Sequence, residues 1–190
     1  MSFWPVILGS FVNLFGTSYY IINTVKGVTK PNRMTWLMWS IAPMIGTAAA
    51  LASGVTWATL PVFMAGLMPL CVFLASFVNP NSYWKLGAFD YSCGALSALA
   101  LILWYLTNNP AVAIVFAIAS DFTAGVPTLI KCWRAPETET ASGFTASSFN
   151  NLMSFFVISN WNFANIAFPL YLVVFNVILA FPVVRKKHTL

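Results

Sequence analysis

The stretch from Pro110 to Arg134, PAVAIVFAIASDFTAGVPTLIKCWR, decides the fold. Between Pro110 and Ile130 the one charged residue is Asp121. A run of about 20 apolar residues is what crosses roughly 30 Å of hydrocarbon. The run ends on Lys131, Trp133 and Arg134, the basic and aromatic residue types that favour a membrane surface. It reads as a membrane-spanning helix over about 110 to 132.

The same reading extends to the rest of the chain. Spans are expected at about 3 to 24, 34 to 52, 55 to 78, 87 to 106, 110 to 132, 143 to 159 and 163 to 184. Composition agrees: of 190 residues, 59% are hydrophobic, 16% aromatic and only 7% charged, with a mean hydropathy of +0.81. A soluble core has no use for so much apolar surface. All nine Lys and Arg residues then fall on one side. Lys26, Lys30 and Arg33 belong to the first connection, Lys85 to the third, Lys131 and Arg134 to the fifth, and Arg185, Lys186 and Lys187 to the tail. By the positive-inside rule the N-terminus is outside and the C-terminus cytoplasmic, in an integral membrane protein. Trp4, Trp57, Trp104 and Trp161 sit at outer ends and Trp84 and Trp133 at inner ones, as membrane anchors.

Several classes are excluded. The +5 net charge is explained by insertion and anionic headgroups, so no nucleic-acid partner is expected. Met1 to Trp4 lacks a basic leader, so the first segment is expected to stay in the mature protein. Cys71, Cys93 and Cys132 are odd in number and without CxxC spacing, which argues for apolar packing and against disulfides or a metal site. The single His188 lies in the tail, and no HExxH, GxSxG or phosphate-binding loop occurs, so neither enzyme activity nor a cofactor is expected. A seven-span retinal protein needs a lysine in its last span, and residues 163 to 184 contain none.

The chain also repeats its layout. FVNLFGTSYYIINTVKGVTKPNRMTWLMWSIAP in the first half answers IASDFTAGVPTLIKCWRAPETETASGFTASSFNNLM in the second. Aligning Phe15 with Phe122 sets Asn13 on Ser120, Leu14 on Asp121 and Tyr20 on Pro127; a three-residue insertion then sets Thr35 against Thr145, and Pro61 faces Pro169. Each unit has a polar-interrupted helix, a basic turn, a Thr-containing helix start, a short outer turn and a third helix. Two three-span units share one orientation only if an odd number of spans separates them, and the fourth span meets that requirement. The expected fold is therefore all-α and integral to the membrane. Seven transmembrane helices form a 3+1+3 plan: a first three-helix bundle (1–80), an inversion linker helix (81–108) and a second, parallel bundle with a basic tail (109–190). The two bundles are expected about a pseudo-two-fold axis along the membrane normal.

This plan resembles the SWEET and PQ-loop transporter superfamily. Gly125-Val126-Pro127-Thr128-Leu129-Ile130-Lys131 looks like the PQ-loop motif with Thr in place of Gln. Asp121-Phe122-Thr123-Ala124-Gly125 resembles the Asp-Phe-Thr-Gly-Gly stretch of cystinosin-type members. Lys30-Pro31-Asn32-Arg33-Met34-Thr35-Trp36 is similar to the stretch after the motif in the first unit, with Tyr20-Ile21 replacing its Pro-Gln. The resemblance implies transport, coupled in cystinosin-type members to protons through acidic residues in these helices. SWEET proteins use Asn and Trp near the midplane. Asn176 stands at that depth, but its counterpart in span three is Met68, so the paired Asn of the sugar carriers is absent.

Asp121, eleven residues after Pro110 and twelve before Trp133, falls near the bilayer midplane. A carboxylate there costs at least about 2.5 kcal/mol, so it must face a hydrated cavity or a polar partner. With Gly125 and Thr128 it forms an i, i+4, i+7 stripe offering an acid, a bare backbone and a hydroxyl. It is the candidate proton-coupling residue; the alternative is a hydrogen bond that only holds the bundle together. Asp90 is expected to be solvated or paired with Lys85, and Glu137 and Glu139 to be loop charges beside Arg134. Candidate pathway residues are Asn13, Thr17 and Tyr20 on span one, Trp36 and Ser40 with Pro43 on span two, and Pro127 and Thr128 on span five. Ser147, Asn151 and Ser154 on span six, with Asn150 adjacent, and Asn176 on span seven complete the set. Amides fix a polar solute and indole faces stack it. Pro43, Pro61, Pro69, Pro127, Pro169 and Pro182 are expected to interrupt their helices.

The expected function is carriage of a small polar solute, a sugar, amino acid or similar, by alternating access. The alternative is a non-transporting receptor or a structural subunit of a larger membrane complex. Partners are then a small-molecule solute and the lipid bilayer, with self-association or a larger complex left open. Cysteines introduced at Ser2 and Thr189 should react with an impermeant reagent from opposite faces of the membrane. Labelling of both from one face would refute seven spans.

Overall fold

The computed structural model describes residues 4–52, 60–107 and 109–187. Seven α-helices occupy them: α1 (Trp4–Val25), α2 (Arg33–Ala52), α3 (Leu60–Ala75), α4 (Ala88–Leu106), α5 (Pro110–Arg134), α6 (Ala141–Ser154) and α7 (Phe163–Lys187). No strand occurs among the described residues. Four helical stretches are long and apolar enough to cross a membrane: Trp4–Val25, Ala88–Leu106, Ala111–Arg134 and Asn165–Lys186. Val62–Ala75 is apolar but shorter. Residues 53–59, and with them Trp57, lie outside the described residues.

Two expectations need correction. The sixth span was expected over 143–159, but α6 has 14 residues and gives way to a 3-10 turn at Phe155–Val157. At 1.5 Å per residue it covers roughly 21 Å, less than the hydrocarbon thickness. Its Ser147, Ser148, Asn150 and Asn151 make it the least apolar of the seven in composition. The prolines also do not break their helices: α2, α3, α5 and α7 run on through Pro43, Pro69, Pro127, Pro169 and Pro182, and Pro61 is the second residue of α3. An apolar exterior gives an unwound backbone no water to bond to, so helix is kept.

Helix starts are fixed by side chains. Asn109 Oδ1 accepts from the N–H groups of Ala111 and Val112, 3.0 and 3.3 Å away, with Pro110 in the first turn where it needs no donor. Asn32 Oδ1 accepts from Thr35 N at 3.2 Å at the head of α2.

In packing, α3 lies against both α1 and α2, and α7 against both α5 and α6. α1 packs along α6, α2 crosses α5, and α4 lies along α5 and touches α2. Polarity runs opposite to that of a soluble protein. Phe11, Phe15, Tyr19, Leu96, Leu99, Ile102, Val174, Val177 and Phe181 are exposed, while Asn13, Thr17, Thr24, Asn32, Thr35, Ser97 and Thr128 are buried. An apolar periphery around a polar-seamed interior is what a lipid solvent selects.

The α1–α6 contact depends on a small residue. A Cβ on Gly16 would meet the Cβ of Ala146 and lie 2.7 Å from the carbonyl oxygen of Ser142. Ser142 Oγ in turn donates to the Gly16 carbonyl at 2.8 Å. Gly16→Ala should therefore push the helices apart and cost about 1–3 kcal/mol. Phe15→Ala, at a neighbouring position 71% exposed, should cost little in detergent. Unfolding of the two purified variants tests this; equal stability would refute close packing at Gly16.

Candidate functional site

A cavity of about 120 Å³ lies inside the bundle, and its walls come from α1, α2, α3, α5, α6 and α7 but not α4. That is far above the ~10–15 Å³ that holds one water. From α1 it takes Asn13 and Thr17, one turn apart, so both face inward. α2 supplies Trp36, Trp39 and Pro43, and α3 supplies Ala65, Met68 and Pro69. α5 contributes Asp121 alone. The opposite wall is Phe144, Ser147, Asn150 and Asn151 of α6 with Phe168, Leu172, Phe175 and Asn176 of α7. Among the described residues, no Lys, Arg or His lines it.

Asp121 is held in place by two neighbours. The Tyr171 hydroxyl of α7 donates to its Oδ2 at 2.8 Å, and Trp39 Nε1 donates to its backbone carbonyl at 3.1 Å. The amides are oriented too. Asn13 Oδ1 accepts from Thr17 Oγ1 at 3.2 Å and Ser147 Oγ at 3.1 Å, which commits its carbonyl end. Asn151 Nδ2 donates to the Ser147 carbonyl at 2.8 Å, and Asn176 Nδ2 to the Leu172 carbonyl at 2.9 Å. Both donate one N–H into their own helix and keep a second N–H and a carbonyl oxygen as polar groups. Trp36 Nε1 is the one buried side-chain nitrogen or oxygen without a hydrogen-bond partner among the described residues.

Of the residues expected on the pathway, Asn13, Thr17, Trp36, Ser147, Asn151 and Asn176 line the cavity together with Asp121. Met68, the span-three counterpart of Asn176, lines it as well. Five others are absent from the wall. Ser40 Oγ donates to Leu37 O in its own helix at 2.7 Å. Thr128 Oγ1 donates to Thr35 Oγ1 at 2.9 Å, stitching α5 to α2. Ser154 Oγ turns back to Asn150 O at 3.4 Å, Pro127 is buried in α5, and Tyr20 points elsewhere. The bare backbone expected at Gly125 is filled: a Cβ there would sit 2.6 Å from the Phe175 ring and 3.0 Å from Trp39.

Tyr20 belongs to the floor. Its ring lies 4.9 Å from Trp36 and 5.9 Å from Phe144, and Trp36 stacks on Phe144 at 6.2 Å. Below this layer the Tyr20 hydroxyl donates to Glu139 Oε2 at 2.6 Å, and Lys131 Nζ meets Glu139 Oε1 at 2.6 Å with side chains only 1% and 0% exposed. Lys131 also donates to the Lys30 carbonyl and lies 5.1 Å above the Trp84 ring. Lys30 N bonds Thr138 O at 2.9 Å, and Thr140 Oγ1 meets both Thr29 and Asn23. The loop after α1 and the loop after α5 are thus knitted together at the basic end.

This overturns the reading of Glu139 as a loop charge and of Lys131 as one of a set of membrane-surface cations. Glu137 does remain exposed, but its partner is Lys186 at 2.6 Å, not Arg134. That contact holds the Glu137 carboxyl below the usual range. Asp90 is neither solvated nor paired with Lys85: it is buried, accepting from Asn32 Nδ2 and from Gly87 N at 2.7 Å. In each case the partner comes from a distant segment or from the turn of a helix start, which charge spacing does not reveal.

Compared with known proteins, the chain matches no family model, no curated protein and no solved structure.

Removing one member of a buried ion pair leaves an uncompensated charge and costs about 3–5 kcal/mol. Glu139→Gln and Lys131→Met should each lose stability on that order in detergent. The double variant should recover part of the loss. Additive losses in the double variant would show that the two charges do not support each other.

Proposed function

We propose that the chain is a membrane carrier that moves a small polar solute by alternating access, with Asp121 as the proton-coupling residue. The observation that carries this reading is the interior cavity, whose wall combines one carboxylate, neutral amides, hydroxyls and aromatic faces. Such a wall suits a small polar solute, with a few polar groups to orient it and ring faces to stack it. A purely structural subunit has no need to line a cavity among apolar helices with a carboxylate.

The packing supports a 3+1+3 plan. Matching α1, α2, α3 with α5, α6, α7 turns the α1–α3 and α2–α3 contacts into α5–α7 and α6–α7, and the α1–α6 contact into α2–α5. Each of those contacts is present, and α4 lies outside the matched set and off the cavity wall. Residues 1–80 and 109–190 are then the two units and 81–108 the linker. This supports the resemblance to the SWEET and PQ-loop superfamily, and the one-sided basic residues support an outside N-terminus and a cytoplasmic tail. On this reading the Lys131–Glu139–Tyr20 cluster closes the cytoplasmic end. Transport requires it to open.

Purified protein in liposomes should take up a solute in response to a pH gradient. Asp121→Asn keeps shape and hydrogen-bonding capacity but cannot titrate. It should fold, retain binding of neutral solutes and lose pH-driven uptake. Intact pH-driven uptake in the variant would remove the coupling role. Failure of the wild type to move any sugar, amino acid or amine would favour the receptor or subunit reading.

A further inference from the structure

We propose that the cavity is selective for a small organic cation: a compact ammonium compound bearing one oxygen, seated with its charge against Asp121. The proposal specifies the solute class for the cavity and rests on the carrier reading only for the transport arm of its test.

Three observations converge on it. The cavity wall holds one carboxylate and, among the described residues, no cation. Asn151 and Asn176 each spend one amide N–H on their own helix and carry carbonyl oxygens that accept. Beside the carboxylate, these carbonyl dipoles add partial negative charge, which favours a cation whether or not it carries N–H groups. Aromatic rings share the remaining wall with Pro43, Ala65, Met68, Pro69 and Leu172: Trp36 and Trp39 meet edge to face at 5.3 Å, and Trp39 meets Phe175 at 6.4 Å. Ring faces attract a cation and do so more strongly when water is excluded. A neutral polyol would gain little from such rings beyond stacking, and an anion would face the carboxylate with no compensating charge. At the other end of the solute one acceptor oxygen is met by amide N–H groups, since Asn13 has its carbonyl end committed and Asn150 lines the wall beside it.

The cation also answers how Asp121 is neutralised without an internal partner. Either a proton or the ammonium balances the carboxylate, so binding follows carboxyl plus ammonium giving the carboxylate–ammonium pair and a released proton. Among the described residues, Asp121 is the one titratable group on the wall. From α7 the Tyr171 phenol donates to it. From α2 it meets the Trp39 indole. α1 and α6 offer amides and hydroxyls, and α4, on the far side of α5, sets Ser97 against Ser120. Lys131 and Glu139 neutralise each other beneath the floor.

Choline, its uncharged isostere 3,3-dimethylbutan-1-ol, and glycine betaine separate charge from shape. Calorimetric titration of the full chain in detergent should show choline binding at least about tenfold more tightly than either of the others. Choline never titrates, so its affinity should rise with pH as the carboxyl gives up its proton, with protons released on binding. Asp121→Asn should reduce choline binding to the level of the isostere. The wild-type pH series decides the matter even if that variant does not fold. Equal affinity for the isostere, or choline binding independent of pH, would overturn the proposal. Choline binding without flux in liposomes would sustain the cation site and refute the carrier reading. Flux of neutral solutes without choline binding would do the reverse.

Discussion

The buried pairing of Lys131 with Glu139 is the interaction on which the rest of the arrangement depends. Two charges removed from water are tolerated only with close geometry and with their remaining hydrogen-bonding capacity filled. Each additional partner comes from a different segment. Tyr20 brings in α1, the Lys30 carbonyl brings in the connection between α1 and α2, and Trp84 brings in the segment before α4. Once Lys131 is fixed at the end of α5, the α1–α2 and α5–α6 connections have little freedom left. The aromatic layer of Tyr20, Trp36 and Phe144, with the Tyr20 ring tilted against the other two, then lies over the pair. Well-packed apolar groups would often be at least as stable, so what the ion pair supplies is a fixed arrangement.

Close helix contact at one face makes room at another. Gly16 lets α1 approach the backbone of α6, and Gly125 admits the Phe175 ring between α5 and α2. In lipid the apolar effect does not drive helices together, so such small-residue contacts and interhelical hydrogen bonds must do it. The Ser142–Gly16, Thr128–Thr35 and Thr35–Ala124 bonds serve that purpose. With the seams closed there, the bulky rings around Trp39 hold the helices apart at cavity depth and the void remains between them.

The seven helices were legible in the sequence because each apolar run has membrane length or nearly so, and its ends carry charge, Pro or Asn. α6 was overextended because Phe155 and Phe156 continue the apolar character after the backbone has left the α-helix. Much of the cavity was legible as well. Asn13, Thr17, Ser147, Asn151, Asn176 and Asp121 are polar in apolar helices, and lipid cannot accept them, so their direction was fixed. Trp39, Phe144 and Phe175 were missed because an aromatic residue in such a helix carries no comparable signal. Ser40 and Thr128 show the opposite failure. A hydroxyl can satisfy itself on its own helix or on a neighbour, so polarity alone does not place it on a cavity. The Glu139–Lys131 pair was illegible because eight residues of separation across a loop look like any two solvated charges. Tyr20 was named as a pathway residue, yet its role is set by a carboxylate 119 positions away.

One consequence joins the wall to the floor. From Asp121 the contacts run without a break: Trp39 donates to the Asp121 carbonyl, Trp39 packs on Trp36, Trp36 on Tyr20, and Tyr20 donates to Glu139. Trp36 is common to both ends, since one part of it lines the cavity while another packs on the floor. Close-packed rings do not deform gradually; they hold or they repack. On the carrier reading, an occupant touching Trp36 or Trp39 bears on the same stack that holds Tyr20 against Glu139. Its influence on the closed end is bounded by the difference in its affinity between the two packings. A solute that made identical contacts in both would leave the end closed however tightly it bound. The Trp36 indole nitrogen, among the described residues the one buried side-chain nitrogen or oxygen without a hydrogen-bond partner, gives the structure a contact that can differ between them.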